Sequence, residues 1–119
     1  MKTASLYKDL NYQDTKPLVQ PLLETDFTRE IRIVFRRGQV MKEHKTPFPI
    51  VIEIVEGEIN FSTSGTVHHA VEGDLIGLEG GVPHDLTALT DSIVRLTLSK
   101  PDQSERVKAV ADLQRQRCD

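Results

Sequence analysis

The side chains best suited to chemistry in this chain are its four histidines, His44, His68, His69 and His84. A neutral imidazole titrates near about pH 6.5, so each could act as a general base, form hydrogen bonds or bind a transition metal. His44 is followed two positions later by Thr46. Alternate residues of a strand share a face, so these two side chains point the same way if the strand is regular. His84 follows the glycine-rich stretch Glu79-Gly80-Gly81-Val82-Pro83. That stretch is not a phosphate cradle, because a P-loop continues into Gly-Lys-Ser/Thr and a helix, whereas here a strand follows. No G-x-S-x-G or G-x-G-x-x-G occurs. Cys118, the single cysteine, has no histidine near it in sequence, which argues against a thiol nucleophile and excludes an intrachain disulfide. His68-His69 reads as a surface pair.

The elements that must position these groups are strands. Ile31, Ile33 and Phe35 alternate with Arg32, Val34 and Arg36, the period of a strand with one buried face. Further strands are expected at 18–23, 40–44, 50–55, 59–63, 67–71, 74–78, 84–89 and 92–98. Gly38-Gln39, Glu56-Gly57-Glu58, Ser64-Gly65, Glu72-Gly73-Asp74 and Asp91 supply turns between them. Pro47 and Pro49 cannot donate to a ladder, so this segment bends at a barrel rim, where Phe48 either gates a pocket or plugs it. Many short strands with close-set turns predict a sandwich or barrel. Beyond Pro101, Ser104 reads as an N-cap of a helix running to Arg117, with Val107, Val110 and Ala111 facing the barrel or a second subunit. One domain of 119 residues follows. It divides into an N-terminal arm (1–22), a β-barrel (23–100) and a C-terminal helix (101–119).

Composition narrows the partners. The formal net charge is −3 and the pI about 5.8, with no clustered lysine and arginine, so no nucleic-acid partner is expected. No apolar stretch could span a membrane as a helix and the first residues lack the core of a secretory signal. With a lone cysteine, these features predict a cytoplasmic protein.

Two segments resemble the cupin family. Gly38, His44 and Gly57 match the first cupin signature, G-x5-H-x-H-x3,4-E-x6-G, with Thr46 in the second histidine position and Ile50 in the glutamate position. Gly73, Gly81 and His84 match the second, G-x5-P-x-G-x2-H-x3-N, with Glu79 for proline and Ala88 for asparagine. Val55-Glu56-Gly57-Glu58 resembles the family's usual corner. The resemblance spans 31–98 and implies an all-β fold, a cupin-type double-stranded β-helix (jelly-roll) barrel, often a homodimer. It also implies that His44, Thr46, Ile50 and His84 face the interior and line a ligand pocket.

In cupin relatives these four positions hold Fe, Mn, Zn, Ni or Cu. Here a neutral hydroxyl replaces one imidazole, and Ile50 removes the negative charge that would offset the ion. The expectation is therefore a small-molecule-binding cupin with no tightly bound cofactor. A metal-dependent oxygenase or isomerase, with a divalent transition metal on His44 and His84 and an incomplete ligand set, is the alternative; catalytic residues stay unassigned. If Ile50 points inward, Glu53 points outward unless a β-bulge intervenes, and an arginine across the sheet is its natural partner. Arg95 reads as an outward salt-bridge residue, beside the inward Val94, Leu96 and Leu98. Asp85 should point opposite to His84, and Glu79 lies in a loop that could reach the pocket mouth.

Overall fold

The computed structural model describes residues 1–101, and among them nine strands form two antiparallel sheets. They are β1 (Leu18–Glu24), β2 (Thr28–Phe35), β3 (Val40–His44), β4 (Ile50–Glu56), β5 (Glu58–Thr63), β6 (Thr66–Val71), β7 (Leu75–Leu78), β8 (His84–Ala88) and β9 (Ser92–Ser99). One sheet has the order β1-β2-β9-β4-β7 and the other β3-β8-β5-β6. The two sheets face each other as a jelly roll. The helix expected after Pro101 lies outside the described residues.

The alternation in sequence becomes the core. Ile33 and Phe35 of β2, Ile50, Ile52 and Ile54 of β4, and Val94 of β9 point from one sheet toward Ile59, Phe61, Leu86 and Ala88 of the other. All are buried, and Ile31, Met41, Leu96 and Leu98 pack around them. Burying an aliphatic or aromatic side chain of this size contributes about 1.5–3 kcal/mol, and this wall is the main source of stability. At the β4–β5 corner Gly57 has φ of +89°, and a Cβ there would run into the Ser92 side chain and the Asp91 carbonyl. Only glycine serves at that corner.

β2 differs from its sequence pattern in two ways. It starts at Thr28 rather than at Ile31, because Thr28, Arg29 and Glu30 extend the ladder opposite Ser99, Leu98 and Thr97. It is also buried on both faces: Arg32 is 2% exposed and Val34 is fully covered. The cover is the N-terminal segment, which lies against the outer side of the five-stranded sheet. Arg32 donates to the Leu6, Lys8 and Asp9 carbonyls, and the Arg36 guanidinium stacks 4.9 Å from the Tyr12 ring.

Candidate functional site

His44 and His84 lie on neighbouring strands, and an irregularity brings them together. Met41 pairs with Leu86 and His44 with His84, so β3 advances three residues where β8 advances two. The extra residue is a β-bulge at Lys42-Glu43. In a regular strand Met41 and His44 would face opposite ways; the bulge turns both inward. The ring centroids of His44 and His84 end 4.3 Å apart, with the planes tilted by 59°.

Hydrogen bonds fix the tautomer of each ring. His44 Nδ1 lies 2.8 Å from the Lys42 carbonyl oxygen, and His84 Nδ1 lies 2.9 Å from that of Val82. A carbonyl only accepts, so both Nδ1 atoms carry hydrogen and donate. In the neutral rings Nε2 is then left with a free lone pair. Burial pushes the His84 pKa below the usual histidine value, and neighbouring His44 adds to that, against the opposing pull of the Val82 carbonyl and Asp85. The net effect favours the neutral form of His84. It is 2% exposed and stacks on Phe61, 5.5 Å between centroids at 19°. Its Nε2 is nevertheless not sealed: among the described residues the enclosed, unpartnered side-chain atoms are Arg32 Nε and Arg95 Nε.

In front of His44 a cavity of about 480 Å³ opens between the sheets, walled by Val19, Ile33, Met41, Leu96 and Leu98, with Thr46 at its edge. A second, of about 240 Å³, continues from Thr46 and Leu98 to Pro47, Phe48, Arg29 and Lys100. The rim loop is braced from below. Gly81 N–H donates to the Thr46 carbonyl at 2.7 Å, and a Cβ on Gly80 would strike the Pro47 carbonyl. Gly80, beside the matched Gly81, thus lets two backbones touch. Phe48 is 40% exposed and lines the rim without plugging it.

The four residues singled out in sequence occupy distinct places. His44 and Thr46 line the larger cavity; His84 lies against His44; Ile50 is 3% exposed in the core, paired with Leu78 and Leu98. The Thr46 hydroxyl already donates to the Phe48 carbonyl at 3.0 Å. Leu96 and Leu98, on the face read as inward in sequence, line the cavity. Met41 was not singled out, and its one trace is that Lys42-Glu43 interrupts the alternation between two inward residues. Glu53 faces outward and meets Arg95 at 3.3 Å, as the inward Ile50 requires. His68 and His69 are both exposed on β6, with His69 Nε2 3.1 Å from Glu58. Glu79 is exposed and lines neither cavity; Asp85 alternates with the inward His84 and Leu86.

Two imidazoles whose Nε2 atoms have no protein partner are half of a metal site. The other half is missing. Among the described residues no three of His, Cys, Asp or Glu converge. The inward position that would carry the balancing charge is Ile50. The residues present therefore do not fit a tightly held divalent ion.

The model of the AraC-like ligand binding domain family matches residues 30–117. Among solved structures, an RmlC-like cupin protein from Desulfovibrio desulfuricans is similar at 24% identity over 83% of this chain and 96% of that one, with a TM-score of 0.76. KdgF from Halomonas sp. is similar at 20% identity over 89% and 99% of the two chains, TM-score 0.71. An RmlC-like cupin with a double-stranded β-helix fold from Methanocaldococcus jannaschii is similar at 18% identity over 91% and 96%, TM-score 0.66. At these identities the likeness establishes the fold. No curated protein matches the chain.

Proposed function

The chain belongs to the AraC-like ligand binding domain family, and we propose that it binds a small molecule between its two sheets, oriented by His44 and His84. One observation carries the reading. Two imidazole centroids lie 4.3 Å apart, each ring with one nitrogen held by a backbone carbonyl and the other without a protein partner; His44 lines a largely apolar cavity and His84 packs against it. An apolar enclosure with a few convergent polar groups is the usual form of a ligand site. There Ile33, Leu96 and Leu98 supply apolar contact and His44 sets orientation. Ile50 lies in the core outside both cavities, so that position brings no carboxylate to the site.

The test is a fragment screen read by the ring resonances of the histidines. Binders should shift His44 and His84 together and leave His68 unmoved. His84→Ala should weaken the best binder by about tenfold or more, and His68→Ala by less than twofold. Equal effects of the two substitutions would sink the assignment. We also propose a homodimer, for which Val51 at 41% and Leu75 at 66% exposure offer an outward apolar patch on neighbouring strands β4 and β7. Light scattering at micromolar concentration should give twice the chain mass, and a monomer would refute this part.

A further inference from the structure

Resting on that reading, we propose that the ligand is a hydroxy acid with an apolar body, its hydroxyl donating to the open Nε2 of His44 and its carboxylate held at Arg29 and Lys100. The hydroxyl end follows from the tautomers. Both Nδ1–H groups are engaged by carbonyls, so the open Nε2 atoms offer lone pairs only. A carbonyl or carboxylate oxygen placed there would meet lone pair against lone pair. The group that satisfies Nε2 must donate, and a hydroxyl does so without bringing charge. An ammonium would donate too, but the Ile50 position brings no carboxylate to offset its charge.

The carboxylate end follows from the strand register. On β2 the inward row runs Ile33, Ile31, Arg29, and on β9 Val94, Leu96, Leu98, with Ile33 opposite Val94, Ile31 opposite Leu96 and Arg29 opposite Leu98. Lys100 continues the second row just beyond the end of β9. Both apolar rows therefore end in a cation at the same rim, and both cations line the smaller cavity. One carboxylate stands between them: Glu24 lies 2.7 Å from Arg29 Nε and 3.1 Å from Lys100 Nζ. Those two bonds hold the Glu24 carboxyl below its usual range. Two cations against one anion leave a surplus positive charge. Among the described residues the two terminal nitrogens of Arg29 make no hydrogen bond, and a planar guanidinium is suited to a carboxylate.

The body follows from the continuity of the two cavities. They share Thr46 and Leu98. Thr46 and Leu98 thus mark the junction that the body must pass, with the imidazole on one side and the two cations on the other; one ring with a short acid tail is taken as the simplest body that bridges it. Lys42 and Glu43, which also line the larger cavity, offset each other's charge and favour neither end.

The experiment uses three probes by calorimetry and histidine-ring NMR at pH 7.5: para-hydroxyphenylpropanoate, phenylpropanoate without the hydroxyl, and para-propylphenol without the acid. The hydroxy acid should bind about tenfold more tightly than either single-ended probe. Arg29→Gln should erase its advantage over the phenol, and Glu24→Gln, which removes the competing carboxylate, should strengthen it. Both positions are exposed at the rim, and an unchanged amide spectrum confirms that each variant folds. If the phenol matches the hydroxy acid in the wild-type chain and in Arg29→Gln, the acid subsite is refuted while the histidine pocket stands. If phenylpropanoate matches it, the hydroxyl assignment is refuted. If no probe moves the His44 and His84 resonances at millimolar concentration, the hydroxy-acid assignment falls, and the fragment screen decides the pocket reading separately.

Discussion

Two buried polar groups of this molecule differ in what they leave unengaged. Arg32, on the outward face of β2, is 2% exposed and makes four hydrogen bonds: to the carbonyls of Leu6 (3.1 Å), Lys8 (2.9 Å) and Asp9 (3.2 Å), and to Gln20 Oε1 (2.7 Å). Only its Nε lacks a partner. Its directional capacity is consumed by the chain itself, and it offers an incoming molecule nothing. His44 and His84 each use one nitrogen on a backbone carbonyl and keep the other open. The first arrangement ties an irregular segment to a sheet. The second holds two rings in place and leaves an atom on each without a protein partner. A buried polar residue is evidence of a site only when its bonds are incomplete on the side facing a cavity.

The comparison breaks most visibly at Arg32. In Arg32→Ala the three carbonyls lose their donor, and the segment that covers Val34 and Ile93 loses its anchor. Urea unfolding should show a loss of about 3 kcal/mol. Affinity for any ligand of the histidine cavity should change by less than about twofold, since Arg32 faces outward from the five-stranded sheet and the histidines belong to the other sheet. A variant of unchanged stability, or one that loses ligand as His84→Ala does, would erase the distinction between a structural and a functional buried group.

Ile50→Glu tests the other side of the comparison by completing what the imidazoles lack. A carboxylate at this inward position, with His44 and His84, would form a facial set of two imidazoles and one carboxylate. Without metal, the buried carboxylate should cost about 3–5 kcal/mol. With added nickel or zinc the variant should regain melting temperature, while the wild-type chain should not respond. If the wild-type chain responds equally, the two imidazoles suffice, and the role assigned to Ile50 is wrong.

How much of this could be read from sequence depends on whether the signal lies in one strand or between two. Ile31, Ile33 and Phe35 carry their own alternation, so β2 and its inward face were legible, as were β4 and the outward Glu53 that meets Arg95. The doubly buried β2 was not. Its second cover is a polar segment without periodicity, held mainly by backbone carbonyls that every residue possesses. The bulge was hidden for a related reason. Whether Lys42 and Glu43 oppose one residue or two is a property of the β3–β8 ladder, not of either segment. The resemblance to the cupin signatures indicated that His44 and His84 converge. It gave no sign that His84 would sit behind His44 against Phe61, nor that Thr46 would turn its hydroxyl to Phe48. The cationic ends of the inward rows were present in the sequence as Arg29 and Lys100. They gained meaning only when the register placed them side by side.

The smallest expected effect concerns protons. Burial lowers the His84 pKa in the folded chain, whereas the unfolded chain keeps an ordinary value near about 6.5. Between the folded and unfolded values the unfolded state binds more protons, so stability rises with pH there. The contribution of His84 is thus complete above about pH 6.5 and is lost as the pH falls toward the folded value. Arg32 contributes no such dependence in this range, because a guanidinium does not titrate. Thermal unfolding of the wild-type chain at pH 7.5 and at pH 5.5 should show a lower melting temperature in acid. Part of that difference should vanish in His84→Phe, which keeps a ring against Phe61 but cannot take up a proton. Arg32→Ala should lower the melting temperature equally at both pH values. A wild-type chain equally stable at both, or a His84→Phe variant with the full acid sensitivity, would show that His84 is no less solvated than an ordinary histidine, and that the sealed half of the pair is not sealed.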